Sequence, residues 1–131
     1  MTYFWIGIAG IVGAFLRYVL SSWVQGLPPE ALFPIGTLTV NLAGCFALGW
    51  FSQWVLDKIR ISPHLRSSIS TGLIGSFTTF SAFSVETVQC FRQGLYGVAI
   101  AYAGASLIGG LCLVWLGAAV ASGRRGKRRN G

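Results

Sequence analysis

The chain has 131 residues and a formal net charge of +7, yet only 10% of its residues are charged and 53% are hydrophobic. A soluble domain carries about a quarter charged residues, so this chain could not cover a water-exposed surface with polar side chains. The composition excludes an ordinary soluble domain and indicates an integral membrane protein.

Four apolar runs occupy almost the whole sequence, namely residues 3–24, 33–56, 65–91 and 95–121. Each reaches or exceeds the ~20 residues with which an α-helix crosses a ~30 Å hydrocarbon core. The sequence therefore predicts an all-α integral membrane fold with four transmembrane helices in one domain over residues 1–123. The first run lacks a preceding base and is too long for a cleaved signal peptide, so we expect it to be retained.

The last eight residues, 124–131, form a basic tail that we expect to be disordered, and they hold five of the ten bases. Such a cluster can bind nucleic acid. Beside a membrane helix, contact with anionic lipid headgroups explains it better, so no nucleic-acid partner is expected. Lys58, Arg60, Arg66 and the tail would share one side of the membrane against Arg92 on the other. This bias alone favours a single orientation with both termini in the cytoplasm.

The connectors between the apolar runs contain residues that end and start helices. Pro28 and Pro29 follow the first run, and proline lacks the amide needed to continue a helix. Ser62 is a predicted N-cap, with Pro63 at the first position of the third helix.

No pattern of side chains predicts a metal site. Cys45, Cys90 and Cys112 are odd in number, widely spaced and inside apolar runs, and His64 stands alone in a loop. Free cysteine in such a place behaves as a small hydrophobe, and no zinc-type spacing is present.

The third run is rich in polar residues, with a serine or threonine at many positions between 67 and 87. Hydroxyl groups in hydrocarbon need partners, so this helix must be buried among others or line water. Gly72 and Gly75 precede Thr78 and Thr79, which is compatible with a helix broken at mid-span, where backbone groups face an ion or a cavity. An intact helix with glycines used for close packing is an equally good explanation.

The fourth run contains two stripes with a spacing of four residues. Ala101, Ala105 and Gly109 form a small-residue stripe that lets helix backbones approach each other. Tyr102 and Ser106 form a neighbouring polar stripe, which we expect to face the protein interior rather than the membrane interface.

Two charged residues, Arg17 and Glu86, lie inside predicted spans. Charges within a membrane are costly and therefore mark functional sites by default. Arg17 could instead extend toward the headgroups, although it lies far from the end of its span. Glu86 has no base four residues away, so it must be protonated or neutralised by another helix.

Three motifs in chain order resemble the helix signatures of the Fluc (CrcB-type) fluoride channels. They are GIVGAFLRY over residues 10–18, GTLTVNLAGCFALG over 36–49 and GLIGSFTTFSAFSVE over 72–86. Any one of them is a weak signal, whereas three in the right order, with the right length and helix count, are specific.

This resemblance implies an antiparallel homodimer with two pores and a structural Na⁺ on the dimer axis. The carbonyl groups of Gly75 and Thr78 from both chains would bind that ion. The residues implied for the fluoride pore are Phe80 and Phe83 as paired phenylalanines, Asn41 as an amide donor, Tyr102 and Ser106 as the start of a polar track, Arg17 near the vestibule and Glu86 beside the track.

The residue chemistry suits this assignment, because a pore for the strongly hydrated fluoride ion must replace lost water with hydrogen-bond donors. Asn41, Ser81, Tyr102 and Ser106 can each donate, and Thr37 shares a helix face with Asn41. Benzene rings are positive at their edges, so the two phenylalanines can present those edges to an anion.

Two positions depart from the family pattern. Position 82 is alanine where the family usually has threonine, and Gly110 stands where the polar track often continues with serine. A hydroxyl at position 82 would share a face with Glu86. In its absence we expect Glu86 to turn to another donor, such as Thr79 or Ser106, or to bind water. The antiparallel dimer also needs both orientations, against the charge bias, and we give the motifs more weight.

Two other classes of small membrane protein fit this sequence less well. A small multidrug exporter needs a carboxylate in its first helix for proton exchange, but this helix has Arg17 and no acid. A non-transporting subunit or holin would not need a hydroxyl-rich third helix. The sequence therefore predicts a non-enzymatic, multi-pass channel of the bacterial inner membrane that exports fluoride passively.

Overall fold

The computed structural model describes residues 2–26, 32–57 and 61–129, and these contain helices and no strand. The elements are α1 (Thr2–Gln25), α2 (Ile35–Asp57), α3 (Pro63–Ser67), a π-helical segment (Ser68–Ile74), α4 (Gly75–Phe77), α5 (Phe80–Arg92) and α6 (Tyr96–Arg129). The predicted all-α class is confirmed.

Three helical stretches are long and apolar enough to cross a membrane, judged by length and composition: Thr2–Gln25, Ile35–Val55 and Tyr96–Ser122. The remaining apolar run predicted from the sequence, residues 65–91, is divided among α3, the π-helical segment, α4 and α5. Ser62 caps α3 as predicted, because its Oγ accepts a hydrogen bond from the Leu65 amide at 3.3 Å and Pro63 is the first helical residue.

The helical backbone is interrupted between α4 and α5. Thr78 and Thr79 are extended, with φ and ψ of −78° and 157°, and of −145° and 124°. The Thr78 amide still donates to the Ile74 carbonyl at 3.1 Å, so the regular pattern ends at this residue. Thr79 then caps α5, its Oγ1 accepting from the Ala82 amide at 3.2 Å.

Glycines allow α2 and α6 to pack at backbone distance, although not along the predicted stripe. A Cβ at Gly49 would lie 2.1 Å from the Val114 carbonyl oxygen, and one at Gly117 would lie 2.3 Å from that of Phe46. Ala101 and Ala105 are exposed in this chain. Of the predicted stripe only Gly109 faces α2, since a Cβ there would lie 3.0 Å from Leu42 Cδ2. The closest backbone approach of α6 to α2 is at Gly117 and Val114 instead.

Some predictions concern parts of the chain that the structure does not describe. They involve the residues Pro28, Pro29, Lys58 and Arg60, and the side chains of the basic tail. The backbone of α6 continues to Arg129, so the helix extends beyond residue 123, where the sequence predicts the channel domain to end.

Candidate functional site

The carboxylate of Glu86, on α5, is held by hydroxyl donors from two other helices. Thr37 Oγ1, on α2, donates to Glu86 Oε1 at 2.7 Å, and the Tyr102 hydroxyl, on α6, donates to Oε2 at 2.6 Å. Thr37 is 5% exposed and Tyr102 fully buried. Each carboxylate oxygen thus has a neutral donor, which stabilises a charge that would otherwise be costly in the membrane. We refer to these three residues as the Glu86 clamp.

The clamp differs from the donors expected for Glu86 from the sequence. Thr79 and Ser106 were the predicted substitutes for a hydroxyl at position 82, and neither is bonded to the carboxylate. The physical reason is that each oxygen of Glu86 already accepts a hydrogen bond from another hydroxyl, Oε1 from Thr37 and Oε2 from Tyr102. Tyr102, in the polar stripe of α6, faces the protein interior as predicted.

Asn41 connects α2 to the interruption between α4 and α5. Its Oδ1 accepts from the Thr79 amide at 2.7 Å, and its Nδ2 donates to the Thr79 carbonyl at 2.9 Å. One carboxamide therefore pairs with both backbone groups of one residue, as a neighbouring strand would. Nδ2 carries two hydrogens, so one remains for another acceptor.

The two phenylalanines of the third motif form an aromatic cluster with Tyr102. The ring centroids of Phe80 and Phe83 are 5.8 Å apart, and those of Phe83 and Tyr102 are 5.1 Å apart. Phe80 is 80% exposed within this chain. The cluster therefore extends from the buried Tyr102 of the Glu86 clamp to the open flank of the molecule.

An open cavity of about 410 Å³ adjoins this cluster, and we call it the flank cavity. It is lined from α2 by Asn41 and Cys45, from the interrupted region by Gly75 and Thr78, and from α6 by Ser106. The Ser106 hydroxyl is buried and has no hydrogen-bond partner among the described residues. An unpaired buried hydroxyl is uncommon in proteins, so this oxygen is a candidate ligand contact.

A second cavity of about 430 Å³, the Arg17 pocket, lies on the other side of Thr79. Its lining combines the Arg17 side chain with the hydroxyl-bearing residues Thr37, Thr79 and Ser81. The Ser81 and Thr79 hydroxyl oxygens are 3.2 Å apart. Within the described part of the chain Arg17 forms no ion pair, so the pocket presents one cation and several neutral donors.

A family model described as "CrcB-like protein, Camphor Resistance (CrcB)" matches residues 4–118. The chain belongs to this CrcB-like family. The matched range contains every candidate site residue from Arg17 to Ser106, and with three apolar helices this membership makes the chain a multi-pass membrane protein.

The CrcB-like chain is similar to curated bacterial proteins over most of its length. It is 43% identical over 127 residues to "Fluoride-specific ion channel FluC 2" of Geobacillus kaustophilus (strain HTA426), which covers 95% of this chain and 96% of the relative. It is 44% identical over 117 residues to the protein of the same name from Listeria monocytogenes serotype 4b (strain F2365), covering 89% and 88%. "Fluoride-specific ion channel FluC 1" of Desulfitobacterium hafniense (strain Y51) is 46% identical over 105 residues, covering 80% and 90%.

Most of the predicted site residues of this CrcB-like chain line the flank cavity or the Arg17 pocket, whereas Tyr102 lines neither and Glu86 lines a third cavity of about 320 Å³. Thr79 lines both of these cavities, Asn41 lines the flank cavity and Thr37 lines the Arg17 pocket. The part played by Thr79 was missed by sequence reasoning, although a threonine directly before an apolar helical run is an N-cap signal. Cys45 was also missed as a lining residue, and its position four residues after Asn41 could have indicated it.

Proposed function

We propose that this chain is a fluoride-selective channel that exports F⁻ passively across the bacterial inner membrane and so lowers cytoplasmic fluoride. The observation that carries the proposal is the 43% identity to a fluoride-specific ion channel over 95% of the chain, which includes both cavities. The relatives are ion channels and not enzymes, and the proposed activity is likewise conduction without a chemical reaction.

The lining of the two cavities suits a small, hard anion. Arg17 attracts anions into its pocket, and the hydroxyl groups of Ser81 and Ser106 replace part of the hydration shell. The edges of Phe80 and Phe83 carry partial positive charge. Such neutral donors stabilise a passing anion without the tight binding that a full positive charge at the narrowest point would cause.

The proposed assembly is an antiparallel homodimer of subunits with four spans each, the third formed by the segments from α3 to α5 and broken at Thr78 and Thr79. Within one chain the flank cavity opens sideways, Phe80 is 80% exposed and the Ser106 hydroxyl has no partner in the described residues. Polar groups cannot face lipid without cost. A second copy of the chain over this flank would enclose the cavity and complete a pore.

The proposal includes a structural Na⁺ on the dimer axis, bound by the carbonyl groups of Gly75 and Thr78 from both chains. The chemistry of these groups fits the ion, since neutral oxygens without a carboxylate suit a monovalent cation better than a transition metal. The extended conformation of Thr78 turns its carbonyl away from the helical direction. The ion would link the two interrupted helices, because it would bind the partially negative oxygen atoms of carbonyl groups from both.

A proton-coupled multidrug exporter is the principal alternative. The location of Glu86 on α5, rather than on α1, disfavours it. Such an exporter needs an accessible carboxylate in its first helix, whereas α1 contains none. Glu86 is engaged by Thr37 and Tyr102. A non-transporting subunit is disfavoured by two cavities that contain hydrogen-bond donors, since an anchor has no use for them.

The proposed function predicts that the chain protects cells from fluoride. In a bacterium that lacks its own fluoride exporter, we expect expression of the chain to restore growth in fluoride medium, because a passive pathway returns accumulated F⁻ to the outside. Growth in equimolar chloride is the control for general fitness. Equal fluoride sensitivity with and without the chain, at verified membrane expression, would contradict the proposal.

A further inference from the structure

Two backbone amides at the interruption between α4 and α5, those of Thr79 and Ala82, do not bond to the acceptors that a regular helix would give them. In an uninterrupted helix the amide of each residue donates to the carbonyl four positions earlier. The Thr79 amide would therefore donate to Gly75, and the Ala82 amide would donate to Thr78. These are the two carbonyls of the proposed cation site.

Each of the two amides is engaged by a side chain instead. The Thr79 amide donates to Asn41 Oδ1 at 2.7 Å, and the Ala82 amide donates to Thr79 Oγ1 at 3.2 Å. Among the described residues, no main-chain amide donates to the carbonyl of Gly75 or Thr78. The closest hydroxyl, Thr78 Oγ1, is 3.4 Å from the Gly75 oxygen, a long contact that an ion could readily displace.

We propose that Asn41 and Thr79 are positioning residues that keep the carbonyl groups of Gly75 and Thr78 free to bind a monovalent cation, by accepting the two amides that would otherwise bond to them. The inference rests on the proposed sodium site. It gives Asn41 a structural role in addition to that of a hydrogen-bond donor to fluoride. Its carboxamide is committed to the Thr79 backbone at both ends.

The chemistry of the two side chains explains why few other residues would serve. Asn41 must accept from the Thr79 amide and donate to the Thr79 carbonyl at 2.9 Å, which requires an amide side chain. Aspartate keeps the acceptor but places a second acceptor against that carbonyl. At position 79 a hydroxyl on a short side chain is needed to reach the Ala82 amide as an N-cap, so serine should serve and valine should not.

Replacing either acceptor by an apolar group leaves an amide unsatisfied, which favours its return to the helical carbonyl. In Asn41→Leu the Thr79 amide would then donate a hydrogen bond to the Gly75 carbonyl. In Thr79→Val the Ala82 amide would occupy that of Thr78. Each substitution should remove one oxygen per chain from the cation site without touching a backbone ligand.

The experiment measures the Na⁺ dependence of thermal unfolding of the purified full-length protein, with N-methylglucamine chloride replacing NaCl at constant ionic strength. We expect Na⁺ to raise the unfolding temperature of the wild-type protein. The Na⁺ concentration that gives half of this effect, the Na⁺ midpoint, should be the same in Thr79→Ser. Asn41→Leu and Thr79→Val should each raise the Na⁺ midpoint about tenfold or more, as expected for losing a hydrogen bond that organises the site. Should Asn41→Leu fail to fold, the smaller Asn41→Ala removes the same acceptor of the Thr79 amide and should raise the midpoint in the same way.

Ser84→Ala is the matched control, since the Ser84 hydroxyl donates to the Phe80 carbonyl at 2.9 Å on the same helix but engages neither amide. Its Na⁺ midpoint should equal that of wild type. Wild-type midpoints in Thr79→Val and in the folded Asn41 variants would overturn the inference, as would the absence of any Na⁺ effect in wild type. Fluoride efflux of the wild-type protein, measured in parallel, separates these outcomes, because its loss would contradict the channel function itself.

Discussion

Isoleucine in place of Phe83 or Phe80 is expected to reduce fluoride efflux by roughly two- to tenfold, because ring-edge electrostatics worth roughly 0.5–1.5 kcal/mol is lost at the barrier for the ion. The substitution keeps most of the apolar bulk, so packing should change less than charge distribution. Both rings line the flank cavity, and Phe83 packs against Tyr102 with a centroid distance of 5.1 Å.

The measurement is fluoride release from liposomes that contain equal amounts of each variant, with the oligomeric state checked by size-exclusion chromatography. Phe91→Ile is a suitable control, since Phe91 packs against Tyr96 and does not line either cavity. Wild-type efflux in both Phe80→Ile and Phe83→Ile would mean that the two rings serve only as packing.

Removing one donor from the Glu86 clamp is the second change with a large expected effect. In Tyr102→Phe or Thr37→Val one oxygen of Glu86 loses its hydroxyl partner, which costs roughly 1–3 kcal/mol for a buried polar group. We expect lower thermal stability, and fluoride efflux reduced by about tenfold, because the unsatisfied carboxylate would turn toward the polar lining of the pore. Thr37→Ser retains the donor and should behave as wild type.

A double-mutant cycle with Glu86→Gln distinguishes the clamp from general damage to the core. If Tyr102 acts through the carboxylate, Tyr102→Phe should cost clearly less stability in the Glu86→Gln background than in wild type. Equal losses in both backgrounds would show that the Tyr102 hydroxyl stabilises the protein independently of Glu86.

The sequence was sufficient to predict the helical class and which polar side chains of α2 share a face. The 3.6-residue period placed Thr37 and Asn41 on one face of α2. In the structure Thr37 bonds to Glu86 on α5, and Asn41 bonds to Thr79, the N-cap of α5. Ser62 was recognisable as a cap. These features depend on residues that are close in sequence, where propensity and spacing act directly.

Features that depend on contacts between distant segments could not be predicted in the same way. The partners of Glu86 are 49 and 16 residues away, and no local spacing selects them over Thr79 or Ser106. Small residues occur on several faces of α6, so periodicity alone could not show that Gly117 rather than Ala101 packs against α2. The glycines of the third motif drew attention to Gly75, whereas the extended residues are Thr78 and Thr79.

Parallel recording of fluoride and chloride efflux from proteoliposomes with ion-selective electrodes tests the central claim most directly. Liposomes loaded with equal concentrations of both anions, with valinomycin to dissipate the voltage, allow each ion to leave down its own gradient. The account predicts rapid fluoride release while chloride stays inside until detergent is added, since hydroxyl donors and ring edges suit the smaller and more strongly hydrated anion. Chloride release at a similar rate, or transport of a cationic drug coupled to protons without any fluoride efflux, would contradict it.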